Sequence, residues 1–330
     1  MHRTLLFATA AVVVSLSILT EAAPPPVRPA LLVLNKTDNN LAIVDLKTFA
    51  LTTKIPVGAG PHEIVTSTDG RQAFAANYGD AAAPGQSISI IDLSRNRESK
   101  RLDVSPLRRP HGLAFADGKL FFTSETSRII ARYDPVAHVI DWLFGTGQTQ
   151  PHMVSATADG RTLYAANIAG NSISIIERGA NPLTTNITTI PVGKGPEGFD
   201  VSPNGQELWA AHSQDGGLSV IDLATKRVIA TIDVKTRRSN RLKFTTDGAR
   251  VLISDLDAGE VVVIDVASRA VTQRIPVGVS PEGILIDPDG TRAFLAVTGD
   301  NNVAVMDLKT MAITRRIQTG GGPDGMAIVK

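Results

Sequence analysis

"RRPHGLAFADGKLFFTSE", residues 108–125, sets a proline–histidine pair ahead of an apolar run, an Asp-Gly turn and a second apolar run that ends in an acid. Two other stretches share the plan, "GPHEIVTSTDGRQAFAAN" from Gly60 and "QPHMVSATADGRTLYAAN" from Gln150. Aligned on the proline, the pattern continues through Pro61, Pro110, Pro151, Pro196, Ser239, Pro281 and Pro323, at successive separations of 49, 41, 45, 43, 42 and 42 residues. A unit repeating every 40 to 45 residues or so, with several short apolar runs and turn signals per copy, is the signature of a β-propeller blade. The sequence therefore predicts an all-β, seven-bladed β-propeller of four-stranded blades.

Within the first copy the reading is an inner strand from about His62 to Ser67, a hairpin turn at Asp69-Gly70 and a second strand ending "FAAN" at Asn77. A third strand, "SISIIDL", and an outer strand ending near Val104 complete the blade. The turn recurs at Asp117-Gly118, Asp159-Gly160, Asn204-Gly205, Asp247-Gly248 and Asp289-Gly290, pairs that supply the positive φ angles of tight hairpins. An acid closes the third strand at Asp45, Asp92, Asp134, Glu177, Asp222, Asp265 and Asp307, where it is expected to cap the next turn. Only "DGMAIVK" follows Pro323, whereas "LLVLN" and "LAIVDL" near the start read as the second and third strands of the same blade. One C-terminal strand is thus expected to join three N-terminal strands and close the ring, which removes the exposed edges of an open array.

Composition narrows the chemistry. A chain of 330 residues with 43% hydrophobic and 20% charged residues can bury a large core, and a net charge of +1 offers no basic field to grip nucleic acid. The absence of cysteine excludes thiolate metal sites, iron–sulfur clusters, cysteine nucleophiles and disulfides. The start, "MHRTLLFATAAVVVSLSILTEAAPPP", combines a basic end, an apolar run from Leu5 to Leu19 and small residues around Ala22. It reads as a secretory signal over residues 1–22, with the propeller from 23 to 330. The run is shorter than the roughly 20 residues of a spanning helix, so no membrane span is expected after signal removal. The mature chain is placed in the periplasm or outside the cell.

The slots Phe74-Ala-Ala-Asn77, Tyr164-Ala-Ala-Asn167 and Trp209-Ala-Ala-His212 are similar to the Tyr-Val-Thr-Asn signature of YncE-like, YVTN-repeat seven-bladed propellers. The resemblance covers essentially the whole mature chain and implies the fold. It leaves function open, because such rings host interaction modules, lactonases, lyases and metal oxidoreductases alike. Pro110-His111-Gly112 with Phe122-Thr-Ser-Glu125 also resembles streptogramin lyases, in which Pro-His-Gly and Phe-Thr-Glu segments recur. "GKGPEG" from Gly193 and "GGGPDG" from Gly320 satisfy a dinucleotide-type glycine pattern, yet each lies on a crossover and opens no helix.

Equivalent repeat positions form circles around a propeller's channel, and the slot after the proline reads His62, His111, His152, Glu197, Asn240, Glu282 and Asp324. Three imidazoles on adjacent blades facing three carboxylates are all potential metal ligands. The reading assigns one divalent ion, zinc or copper by preference, to His62, His111 and His152 with Glu197, Glu282 or Asp324. The other reading of the same ring is a hydrated polar rim. A second ring is expected at the end of the second strand, where Asn35, Asn77, Glu125, Asn167, His212, Asp255 and Val297 stand.

Arg108 and Arg109, and in blade 5 Arg237, Arg238 and Arg241, are expected at the channel mouth, where guanidinium forks suit a carboxylate or phosphate. Asn240 and Glu125 join them as ligand-binding candidates. Glu197, Glu282 and His212 are the candidate general bases, and "YGDAAAPGQS" from Tyr78 is a candidate lid. Two functions follow from these residues: a metal-dependent lyase, hydrolase or oxidoreductase acting on a small anionic molecule, or a non-catalytic propeller presenting the same face to a protein, peptide or metabolite.

Overall fold

The computed structural model describes residues 29–179 and 184–330, so the expected signal at 1–22 lies outside the described residues. Among the described residues twenty-eight strands, numbered in chain order, form seven four-stranded antiparallel sheets arranged as blades. The closing sheet has the order β28 (Pro323–Val329), β1 (Ala30–Asn35), β2 (Asn40–Asp45), β3 (Leu51–Pro56). In it Val329 lies opposite Ala30 and Met326 opposite Val33. The two ends of the chain thus share one ladder, as expected from the split repeat.

The inner strands are β4 (Pro61–Thr66), β8 (Pro110–Ala116), β12 (Pro151–Ala156), β16 (Pro196–Val201), β20 (Ser239–Phe244), β24 (Pro281–Ile286) and β28. Each shows the same register shift directly after its first residue, between Pro61 and Ile64 in β4, Pro110 and Leu113 in β8 and Pro151 and Val154 in β12. Equivalent shifts interrupt the other four. One extra residue on the inner strand makes a β-bulge, which bends the strand and re-aims its side chains. That bulge turns the slot behind the proline into the channel.

Proline also conditions the residue before it. Gly60, Arg109, Gln150, Gly195, Ser280 and Gly322 all have positive φ and all precede a proline, whereas Arg238, ahead of Ser239, does not. Proline disfavours the right-handed helical region for its predecessor, and in these six crossovers that residue is left-handed rather than extended.

Blades adhere through apolar layers. Phe74, Ile88, Phe122 and Tyr133 join blades 1 and 2, and Trp209, Phe244 and Val262 join blades 4 and 5. Trp209 is fully buried with its ring edge-on to Phe244 and its indole N–H donated to Glu207, so the large apolar body and the polar tip are both accommodated. The hairpin turns differ from the expectation in one respect. Only Asp117-Gly118 is a two-residue turn with both φ positive; elsewhere the glycine alone is left-handed, while the Asp or Asn before it caps the turn, as Asp69 does by accepting from Ser67 and the Arg71 amide. Six acids at the third-strand end accept turn amides as expected, Asp45 from Lys47 and Thr48 for example. Glu177, one methylene longer, pairs with Lys226 instead.

Candidate functional site

The seven bulge residues His62, His111, His152, Glu197, Asn240, Glu282 and Asp324 line one cavity of about 170 Å³ at the channel mouth. Position in the repeat has become position on a circle. His111 and His152 stack with ring centroids 3.7 Å apart, and His62 stands 5.4 Å from His111. The stacking has a cause in the backbone. The Thr123 hydroxyl donates to the His152 carbonyl at 2.6 Å, and a side chain at Gly112 would come within 2.4 Å of that same oxygen. Gly112 and Thr123, the residues of the Pro-His-Gly and Phe-Thr segments, therefore dock blade 3 against blade 2.

Hydrogen bonds orient the imidazoles. The Gly60 carbonyl, 2.8 Å from His62 Nδ1, requires a proton there and leaves the lone pair on Nε2. His152 Nδ1 lies 2.5 Å from Glu125 Oε1, while its Nε2 is 3.9 Å from Glu197 Oε1. His111 Nδ1 is buried with no hydrogen-bond partner. His111, Glu125 and His152 each offer a ligand atom within 4.8 Å of the others. A four-coordinate zinc ion with bonds of about 2.1 Å needs donors about 3.4 Å apart, so His152 Nδ1 and Glu125 Oε1, a hydrogen-bonded pair at 2.5 Å, would have to separate for both to ligate, whereas His152 Nε2 could ligate with that bond kept. Two histidines of the expected trio thus join Glu125, a residue expected only to touch ligand, whereas His62 lies to one side.

Charge states follow from the surroundings. Burial, reinforced by the neighbouring imidazoles, pushes the pKa of His111 well below its ordinary value, and burial lowers His62 as well. Burial also opposes protonation of His152, but the Glu125 and Glu197 carboxylates outweigh it and raise its pKa. For Glu125 burial is outweighed by its bonds to His152 and Tyr78, and its pKa is lowered.

The other side of the ring is ionic. Lys36 pairs with Glu282 and lies 3.4 Å from Asp324. Burial and the repulsion of Asp324 together push Glu282 up to about 7. Beneath the ring Arg241 pairs with Glu63 and its second nitrogen lies 2.9 Å from the Met153 sulfur. Those three long side chains share one repeat slot with Gly112, Gly198, Gly283 and Gly325, where a Cβ would strike the adjacent inner strand within 2.2 to 2.5 Å. Long residues and glycines together plug the channel. Arg241, 6% exposed, lines the floor of the mouth cavity as expected from sequence, with its guanidinium already paired to Glu63.

Other expected residues are distributed differently. Arg237 and Arg238 line a second cavity of about 540 Å³ beside His152 and Glu197. Arg109 lines a third, of about 340 Å³, with Tyr78 and Glu125, its guanidinium 4.7 Å over the Tyr78 ring. Arg108 donates its amide to Ser124 and lines none of the three. His212 is 1% exposed and fully engaged within its blade: Nδ1 donates to Asp215 at 2.9 Å, and Nε2 accepts from the Gly193 amide and faces the Ser219 hydroxyl. It has no free nitrogen for a general base. Asn35, Asn77 and Asn167 likewise bond inside their blades, and of the second expected ring only Glu125 reaches the histidines.

The rim is instead built one residue later, where Lys36, Tyr78 and Leu256 face the cavity. Strand alternation sends adjacent residues to opposite sides, so an error of one position swaps wall for interior. Tyr78 donates its hydroxyl to Glu125 Oε2 at 2.6 Å and packs its ring against His62 and His111. The expected lid is a hairpin extension, because β5 (Gln72–Gly79) and β6 (Pro84–Asp92) stay paired as far as Gly79 and Pro84. Asp80 closes its tip by accepting the amides of Ala82 and Ala83.

No protein-family model matches the sequence, and neither does any curated protein. Solved structures do match the fold. A periplasmic gluconolactonase of Pseudomonas aeruginosa, PpgL, is 15% identical with a TM-score of 0.75, covering 92% of this chain and 99% of its own. A putative 6-phosphogluconolactonase from Bacteroides uniformis is 16% identical at 0.75, covering 92% and 100%. Hydrazine synthase of Kuenenia stuttgartiensis is 17% identical at 0.73, covering 89% and 99%. At such identity the likeness is one of fold. No helix of the described residues is long and apolar enough to cross a membrane.

Proposed function

We propose that this propeller is an exported, metal-dependent hydrolase of a small anionic organic molecule, with cyclic esters of hydroxy acids that carry a second carboxylate or a phosphate as the substrate class to test first. The observation that carries the reading is the buried cluster of His111, Glu125 and His152, with an unpartnered imidazole nitrogen on His111 and both histidines on the wall of the mouth cavity. Two imidazoles and a carboxylate suit zinc with a position left open, and copper fits the same donors. An ion there supplies Lewis acidity toward an ester carbonyl and acidifies bound water.

The chain's own residues have distinct parts in this reading. Glu125 holds His152, and Tyr78 holds Glu125. Glu197, fixed by Asn240 at 2.6 Å, accepts the proton of the attacking water and returns it to the alkoxide released when the ester C–O bond breaks. Arg237 and Arg238 receive the anionic group. The lactonase names among the fold neighbours support the choice of ester, and the periplasmic one agrees with the reading of residues 1–22 as a secretory signal.

Elemental analysis of dialysed wild type and His111→Ala, with melting curves and a lactone hydrolysis screen, tests the proposal. Wild type should carry one ion per chain and hydrolyse at least one lactone, and the variant should lose both while remaining folded. Wild type without stoichiometric metal, and not stabilised by added zinc or copper, would return the ring to a hydrated rim and the protein to a binding propeller.

A further inference from the structure

The cavity beside His152 shares His152, Glu197 and Arg238 with the central one, so the two adjoin along those side chains as the outer and inner ends of one cleft. Its ends differ in chemistry. At the outer end Arg237 and Arg238 are exposed, and among the described residues neither guanidinium has an ion-pair partner. Both backbone amides donate to Asp255, at 2.7 and 3.0 Å, which anchors the segment that carries them. Asp257 also lines this end, one carboxylate against two guanidiniums.

The inner end has the opposite imbalance. Asp324 Oδ1 and Asn240 Oδ1 are buried acceptors without a hydrogen-bond donor. Asp324 is 3% exposed; Lys36 stands 3.4 Å from its Oδ2, and Arg241 stands 3.7 Å from its Oδ1, beyond hydrogen-bond reach. A buried acceptor left without a donor is destabilising, so the floor favours a ligand that brings donors. Hydroxyl groups bring them.

We infer that the cleft binds a hydroxylated organic acid lengthwise, its acid group on Arg237 and Arg238 and its hydroxyls donated to Asn240 and Asp324. The inference rests on this cleft being the ligand site of the proposed enzyme, but on neither the metal nor the reaction. A plain alkanoate satisfies the guanidiniums and leaves the floor acceptors unpaired. A neutral polyol does the reverse.

Calorimetric titration of the purified protein with D-gluconate, D-galactonate and D-glucuronate, beside hexanoate and D-glucitol, tests it in chelator and again with added zinc. At least one hydroxylated acid should bind about tenfold or more tighter than both hexanoate and D-glucitol. Arg237→Ala with Arg238→Ala, both on exposed side chains, should reduce that acid to the level of D-glucitol. Asn240→Ala should bring it toward hexanoate while keeping the preference for acids. Equal binding of hexanoate, an unchanged affinity in the double arginine variant, or no binding of any hydroxylated acid would overturn the inference. Binding that survives in chelator while hydrolysis fails would end the hydrolase reading alone.

Discussion

The histidine side of the ring and its carboxylate side are built from the same bulge of the same repeat, yet they carry opposite chemistry. On blades 1 to 3 the charge of Glu125 is met by His152 and the Tyr78 hydroxyl, and a buried imidazole nitrogen of His111 stands unpartnered. On blades 6 and 7 the acids Glu282 and Asp324 are met by Lys36, and Arg241 of blade 5 reaches across to Glu63 beneath blade 1. Built-in cations already serve that side. In the proposed enzyme the metal therefore belongs with the histidines, and the ionic side forms the floor of the cleft.

Removing residues 324–330 makes the largest test, because it deletes Asp324 from the ionic side together with nearly all of the strand that pairs with β1. Loss of cooperative unfolding and of the native circular dichroism spectrum is expected. A truncated chain with the parent's melting temperature would show that the acid side does not depend on ring closure.

Arg241→Met comes next. It leaves Glu63 buried without its cation, and breaking a buried pair costs about 3–5 kcal/mol. Adding Glu63→Met should recover most of that loss, since an apolar pair of similar volume avoids the desolvation of both ions. Denaturant melts of the single and double variants measure the difference, and a harmless single variant would remove the ionic plug from the account.

A smaller effect should appear in the pH dependence. Glu282 titrates near 7 when folded, because burial and Asp324 disfavour its charge, but near the ordinary carboxylate value when unfolded. The folded chain then binds the extra proton between those values, so its stability falls as pH rises from about 4.5 to 7. Glu282→Gln should abolish that fall and stabilise the protein at pH 8 by on the order of 1–3 kcal/mol relative to wild type. Melting temperatures across this range decide it, and parallel curves for the two proteins would contradict the assignment.

Tyr78→Phe is the mildest change and probes the histidine side. It removes the hydroxyl bonded to Glu125, which should cost about 1 kcal/mol or less in stability but about tenfold in zinc affinity, as for other residues that orient a ligand. Competition titration against a zinc dye gives the ratio. Unchanged affinity would take Glu125 out of the metal set.

Periodicity made much of the molecule legible in one dimension. The proline slot, the turn residues and the split last blade each recur at a set interval, so blade number, strand order and ring closure follow from counting. The circle of His62, His111, His152, Glu197, Asn240, Glu282 and Asp324 is legible for the same reason, since a repeat converts sequence position into an angle around the axis. Contacts between blades carry no such period. Nothing near Lys36 announces Glu282, 246 residues away, nor does Glu63 announce Arg241, 178 residues away. Glu125 and Tyr78 stand apart on neighbouring blades until the mouth brings them to 2.6 Å. His212 shares its slot with Glu125, yet Asp215, Ser219 and the Gly193 amide turn it inward. Sequence determined which residues stand on the ring; which of them are neutralised, buried or left without a partner was decided by side chains arriving from other blades, because electrostatics and hydrogen bonding depend on distances that only the closed ring sets.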